Sequence, residues 1–349
     1  MMNQIHAASL SMFLFLVPVL HAAEFGVVPD PYTGNWEGIM TAGTGEKGVH
    51  ATAIKYKKQY EVTFRASPDP REKAIVIING TVQEDKLILE PVLGPDLSDG
   101  AEGQTKTVQW NGVAKDNELN GTFTGRETGT FSLQKTPFQP SSTLGETAPS
   151  EATVLFDGAD LQAWEPRKIP ADPIQWTITD SGALKVVSQR DGKKNKQDLK
   201  TKELFGDYRL HLEFNLAYKP EAKGQGRSNS GIIHLGMYET QVLDSFGLYG
   251  HNNECGGIYK IREPDRNAGY PAGLWQTYDI EVKAPRFGAK GNKTTDARMT
   301  VRLNGILIHD DVIVPKPTAG GKEAARGPIV LQDHGSPVQF RNIWVVKFD

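Results

Sequence analysis

Between Tyr208 and Leu216 every second residue is apolar: Leu210, Leu212, Phe214 and Leu216 alternate with Arg209, His211, Glu213 and Asn215. A period of two puts the first set on one face of a β-strand and the second set on the other. A helix cannot sort these residues, because a 3.6-residue repeat would scatter the polar ones into the apolar stripe. A strand with one fully apolar face must bury it against a second layer, so this run demands sheet-on-sheet packing. The pattern recurs. Tyr278, Ile280 and Val282 oppose Asp279, Glu281 and Lys283, while Met299, Val301 and Leu303 oppose Arg298, Thr300 and Arg302. Amphipathic helical windows are scarce, and 36 glycines and 21 prolines punctuate short runs rich in Val, Ile, Thr, Tyr and Phe. The chain is therefore expected to be all-β.

Asn79-Gly80, Asn111-Gly112, Asn120-Gly121 and Asn304-Gly305 lie between such runs and read as tight hairpin turns. Residues 137–150 (PFQPSSTLGETAPS) have linker composition and no apolar period. They separate residues 24–136 from residues 151–349, both within ordinary domain sizes. The first segment opens with Tyr32-Thr-Gly-Asn-Trp36-Glu-Gly38, a loosely lipocalin-like start. Strands follow at 49–56, 60–66, 74–78, 86–90, 105–110, 118–124 and 129–134, as expected for a meander closing into a small barrel or sandwich. It carries no cluster of His, Cys and carboxylates, and its expected role is accessory.

Leu10–Leu20 is apolar and is followed by Ala22 and Ala23, the pattern of a signal peptide over residues 1–23. Export to the periplasm or the extracellular space is expected. No later run is apolar enough for a membrane span. The net charge of −3 is spread along the chain without a basic stripe, which disfavours nucleic acid as a partner. Cys255 is the single cysteine, so no internal disulfide is expected, and a lone thiol in a sheet is expected to be a small buried hydrophobe. Ser228 and Ser230 lack a nucleophile elbow, so serine-hydrolase chemistry is disfavoured.

Polar strand faces are usually wetted outer surface, and two places depart from that expectation. Glu239 and Gln241 share a face of Tyr238–Asp244, beside glycine-rich loops, and Asn229-Ser230-Gly231 leads into the strand bearing His234. In Ile329–His334, Gln332 and His334 also share a face. Carboxylate, amide and imidazole groups on one concave sheet suit sugar hydroxyls and proton transfer.

Taken in order, LFDGADLQAW, NSGI, YETQVLD, GGIY, Trp275 before a strand, LNG and GPIVLQDHGSPVQFRNI resemble the 3-keto-disaccharide hydrolase family, formerly a domain of unknown function. The resemblance covers about residues 155–349 and implies a concanavalin-like jelly-roll sandwich. It also implies cleavage of a glycoside already oxidised at C3. The ketone acidifies the C2 proton, a base removes it, the C1 substituent is eliminated, and water adds. Such a site needs a base, a stabiliser for the enolate and an acid, not the paired carboxylates of an ordinary glycosidase. His334 and Glu239 are the candidate catalytic bases. Glu213, Gln241, Asn229, Gln332, Arg341 and Tyr259 are candidates for binding substrate, with Arg341 either stabilising the enolate or serving as a structural ion-pair partner. A divalent metal held by His211, Glu213, Glu239 and His334 is an alternative stabiliser, although no short ligand spacing requires one. The expected partner is a carbohydrate. The rival readings are a non-catalytic lectin-like module and a structural surface protein. Trp164, Trp176, Trp275 and Trp344 fall in or just before core-patterned strands rather than forming sugar platforms, which leans toward an enzyme.

Overall fold

A computed structural model of the chain describes residues 25–43, 45–95, 107–124, 128–190, 193–194 and 196–348. The segment read as a signal peptide lies outside the described residues. The described residues are β throughout. A 3-10 turn, Gly224–Gly226, interrupts the strands.

Eight antiparallel strands form a closed barrel: β1 (Gly34–Ala42), β2 (Gly45–Tyr56), β3 (Gln59–Arg65), β4 (Val76–Gln83), β5 (Lys86–Pro95), β6 (Thr107–Lys115), β7 (Glu118–Thr124) and β8 (Thr128–Thr136), with β8 pairing back onto β1. Alternation fills the interior. Tyr60, Val62 and Phe64 of β3 point in, against Trp36, Trp110 and Phe131. Phe64 and Phe131 meet edge to face with centroids 5.1 Å apart, and Trp110 stacks on Phe123 at 4.9 Å. Eight strands leave room for side chains and little more, so the interior is a packed core.

Three expected turns are not turns. Gly80, Gly112 and Gly121 lie inside β4, β6 and β7. A Cβ on Gly121 would collide with the Phe131 ring and with Asn111 O, so these glycines make space for barrel side chains. The chain reverses instead at Lys57-Lys58, Glu84-Asp85 and Asp116-Asn117. The last pair has both φ angles positive, +50° and +67°, as a two-residue hairpin with right-handed twist requires. Asn304-Gly305 does turn, with φ of +52° and +77°.

The second half opens with β9 (Thr153–Phe156) and β10 (Trp164–Pro166). The short pieces β11 (Thr177–Ile178), β12 (Leu184–Lys185), β13 (Gln189–Arg190), β14 (Lys193–Lys194) and β15 (Leu199–Thr201) follow. Next come β16 (Tyr208–Asn215), β17 (Ser230–His234), β18 (Tyr238–Val242), β19 (Trp275–Lys283), β20 (Arg286–Phe287), β21 (Lys293–Thr295), β22 (Ala297–Leu303), β23 (Ile306–Val314), β24 (Val330–Leu331) and β25 (Gln339–Lys347). Five of them form one sheet in the order β10-β15-β24-β17-β18. A larger sheet runs β11-β12-β25-β16-β19-β22-β23, with β9 beside β25. Leu210, Leu212, Phe214, Tyr278, Ile280 and Val301 from the larger sheet share one core with Leu199, Ile232, Tyr238, Val242 and Leu331 from the smaller. The alternation read from the sequence therefore builds a sandwich.

Residues 137–150 run over the outer face of the larger sheet as a strap. Ser141 Oγ lies 2.7 Å from Thr277 Oγ1, Gly145 N donates to Glu213 Oε1 at 2.7 Å, and Asn342 Nδ2 donates to Glu146 O at 2.9 Å. This covering explains why the polar face of β16 is not wetted: His211 and Glu213 are 0% and 1% exposed.

Candidate functional site

The outward face of the five-stranded sheet gathers polar groups from strands distant in sequence. Ile232 of β17 faces the core, and so does His234, which meets Tyr208 Oη through Nδ1 at 2.9 Å; Gly231 and Ile233 therefore face out. Gly231 pairs with Gln241 and Ile233 with Glu239, which puts both polar residues of β18 on that outer face. Ile232 also pairs with Leu331, and Leu331 with Leu199, so Gln332 and Asp198 extend the Gly231–Gln241 rung. The backbone confirms this placement, with Gln332 N donating to Gly231 O at 2.9 Å.

Gly231 is the gap in that rung. A Cβ there would collide with Glu239 Oε1, so the Glu239 side chain lies across the bare backbone. Glu239 is 5% exposed. Burial raises its pKa from 4.5 to about 7, with help from the Asp198 charge; a hydrogen bond from Gln332 and the charges of Arg167 and Lys260 oppose the rise. A carboxyl poised near neutral pH is suited to general-base work.

The amides around it have spare acceptors. Gln225 Oε1 accepts from Asn229 Nδ2 at 2.8 Å and from Gln241 Nε2 at 3.0 Å. The oxygens Asn229 Oδ1, Gln241 Oε1 and Gln332 Oε1 are buried without a hydrogen-bond partner. Buried acceptors left in this state are unfavourable unless something donates to them. Tyr259 joins the site through its backbone, donating to Glu239 O at 2.9 Å, with Lys260 Nζ over its ring at 5.0 Å.

His211, Glu213 and Arg341 are elsewhere. Leu210, Leu212 and Phe214 face the core, so His211 and Glu213 point from the opposite sheet, under the strap. Arg341 Nε donates to Glu213 Oε2 at 2.6 Å, Asn342 Nδ2 donates to Glu213 Oε1 at 2.9 Å, and the Arg341 guanidinium stacks on Trp275 at 4.1 Å. A bulge in β25 opposite His211 and Glu213, with Asn342 at φ +47°, lets Arg341 and Asn342 both reach this face. Burial works against the Glu213 charge, but His211, Asn342 and Arg341 outweigh it and bring its pKa down to about 2. Arg341 is thus an ion-pair partner of Glu213.

The metal quartet does not converge, because His211 and Glu213 lie on one outer face of the sandwich and Glu239 on the other. His334 is exposed in the turn after β24, which ends at Leu331, so the alternation expected to carry Gln332 and His334 together is cut short. Among the described residues, one group has donor atoms close enough for a metal: Glu146, His211 and Asp279, all within 4.8 Å. A cation already serves those carboxylates. Arg209 Nη2 bridges Glu146 at 3.0 Å and Asp279 at 3.3 Å, and His211 Nδ1 lies 2.9 Å from Asp279 Oδ1. Burial disfavours the imidazolium, yet Asp279 and Glu213 raise its pKa. This donor set suits an ion-pair network rather than a divalent ion.

Sequence reading missed Asp198, Arg167, Lys260 and the gap at Gly231. Asp198 immediately precedes β15, a three-residue strand with no legible alternation, and its place depends on register alone. Cys255 is fully buried, 3.5 Å from Tyr278 Oη, with its pKa pushed up to about 11 by burial, so it is no nucleophile.

The sequence profile of the 3-keto-alpha-glucoside-1,2-lyase-like domain matches residues 151–346. The chain belongs to this family. The lyase-like domain thus takes in both sheets of the sandwich and leaves the barrel outside. A crystal structure of a candidate glycosyl hydrolase from Parabacteroides distasonis ATCC 8503 is 37% identical, with a TM-score of 0.52, covering 62% of this chain and 93% of that one. A second candidate glycosyl hydrolase from the same organism is 18% identical, with a TM-score of 0.42, covering 58% of this chain and 99% of that one. No curated protein matches the chain.

Proposed function

We propose that the protein is an exported enzyme that cleaves the glycosidic bond of 3-keto-glycosides, with Glu239 as the base, on a sandwich of concanavalin-like jelly-roll type. The observation that carries this reading is the buried Glu239 carboxyl with its pKa near 7, laid over Gly231 among amide oxygens that lack donors. Membership of the lyase-like family and the similarity to a candidate glycosyl hydrolase support the sugar class.

Glu239 takes the C2 proton, the C2–H bonding pair moves into the C2–C3 bond, and the C3 carbonyl oxygen becomes an enolate. The enolate collapses, a C1=C2 double bond forms, and the C1–O bond breaks. The departing oxygen takes up the proton held by Glu239, and water then adds across the C1=C2 bond, its oxygen going to C1 and a proton, taken up and returned by Glu239, to C2. The hydrogen bond between Gln332 and Glu239 orients the base, while Lys260 and Arg167 supply positive charge beside the enolate. Hydroxyls of the sugar would satisfy Asn229 Oδ1, Gln241 Oε1 and Gln332 Oε1. No step passes through a metal.

The test is turnover of a chromogenic 3-keto-α-glucoside beside its unoxidised parent, in the wild type and in Glu239→Gln. The expected result is cleavage of the keto substrate alone, reduced by about 10²–10⁴ in the variant. Cleavage of both substrates, or full activity in Glu239→Gln, would sink the assignment.

A further inference from the structure

The barrel and the sandwich enclose a cleft of about 510 Å³, which is within the range of small-ligand sites, and such sites favour domain junctions. One wall is the outer surface of the barrel. Ile54 pairs with Glu61, and Glu61 with Asn79, so one rung across β2, β3 and β4 points at the sandwich, with Tyr56 and Gln59 paired two residues on. The other wall is the Lys223–Arg227 turn together with the segment after β18. Lys57 N donates to Pro220 O at 2.8 Å, Tyr218 Oη donates to Asp30 Oδ2 at 2.9 Å, and Lys223 Nζ lies over the Tyr56 ring at 3.9 Å, tying the walls together.

The lining selects its ligand class. Glu61 and Asp244 face Lys223 and Arg227, so the cleft offers two carboxylates and two cations and favours neither an anion nor a cation. Gln59 and Asn79 add amides that both donate and accept. Asp244 is 2% exposed and Arg227 engages its Oδ2 at 2.6 Å, so this pair is neutralised within the wall and Glu61 and Lys223 are the charges left beside the amides. A ligand that is neutral and dense in hydroxyls meets these features. We propose that this cleft is a second sugar-binding site, present only where the barrel meets the sandwich, which takes a neutral hexose unit. Gln225 couples it to the Glu239 face: its turn forms part of the cleft wall, while its Oε1 holds Asn229 and Gln241.

The proposal does not depend on Glu239 being a base, and the experiment keeps the two apart. Maltotriose and cellotriose, both unoxidised, are titrated calorimetrically into the full chain, with glucuronic acid and glucosamine as charged probes. The variants are Asn79→Ala and Gln59→Ala, at exposed barrel positions where the fold tolerates the change, and Glu239→Gln. Thermal unfolding checks that each variant is folded. The expected result is binding of at least one neutral trisaccharide, weakened about fivefold or more by each barrel variant and unchanged in Glu239→Gln. Loss of binding in Glu239→Gln with retention in both barrel variants would move the sugar to the other face and overturn the proposal. Failure of both trisaccharides to bind, or tighter binding of a charged probe, would overturn it equally.

Discussion

Replacing Glu239 with Gln should make the protein more stable at alkaline pH while disabling it. The carboxyl titrates near 4.5 when exposed and at about 7 in the folded chain. Between these values the folded state holds a proton that the unfolded state has lost, so stability increases as pH falls through 7 and is fully recovered below 4.5. Above 7 both states are ionised, and the folded state bears the whole cost of a buried charge. At roughly 1.4 kcal/mol for each tenfold change in the proton equilibrium, that cost is about 3 kcal/mol. Gln keeps the shape and the contact with Gln332 but cannot ionise. Its stabilising effect should therefore be absent at pH 4 and reach on the order of 3 kcal/mol at pH 8. For a domain of this size that is a rise of roughly 6–12 °C in Tm at pH 8. Scanning calorimetry of both proteins at pH 4, 6 and 8 reads it directly. A difference that does not change with pH, or one in which Gln destabilises most at pH 8, would refute the argument. The same ionisation predicts that kcat/KM on a keto substrate rises with pH through about 7. Such a trade of stability for a working group is usual at active sites.

Gly231→Ala places a methyl where Glu239 Oε1 now lies; because the neighbour is the end of a flexible side chain, the protein should stay folded while activity falls at least tenfold, as a kinetic assay beside a melting curve would show. Glu213→Gln removes a buried anion from Arg341 and His211 and should destabilise by about 3–5 kcal/mol. Because the folded pKa of Glu213 is depressed to about 2, the stability it contributes is present above 4.5 and lost as pH falls toward 2. Wild type should therefore lose this stability in urea titrations between pH 4.5 and 2.5, and the variant should not. Gly121→Ala sets a methyl against Asn111 O and Phe131 in the barrel wall and should cost about 1–3 kcal/mol or more, read as an earlier denaturation of the barrel by tryptophan fluorescence.

The alternation of β16, β19 and β22 was legible because a strand with one buried face must repeat every two residues, and 0% exposure at Leu210, Tyr278 and Val301 is that rule made visible. Seven of the eight barrel strands were legible for the same reason, but β1, read only as a lipocalin-like opening, and the turns were not. Asn-Gly marks a hairpin only where both residues can take positive φ at a strand end, and at Asn111-Gly112 and Asn120-Gly121 the glycine was selected by the bulk of Phe131, a residue distant in the chain. Sequence alone does not distinguish a glycine that bends from one that makes room.

The candidate site shows the same limit more sharply. Glu213 and Glu239 both sit on polar strand faces among motifs of the family; the glycine-rich loops beside Glu239 marked it as a candidate base, but neither local pattern foretells what becomes of its charge. What separates them is which sheet each belongs to and what crosses over it. Glu213 points under a strap and receives an arginine, an asparagine and a backbone N–H, so its charge is fixed and its pKa falls. Glu239 points across a bare glycine, is opposed by Asp198 and receives one amide, so its charge is left costly and its pKa rises. Two carboxyls that begin alike in sequence are thus driven in opposite directions by tertiary packing: the one held as a permanent anion secures the fold, and the one left free to exchange a proton near neutrality can do chemistry.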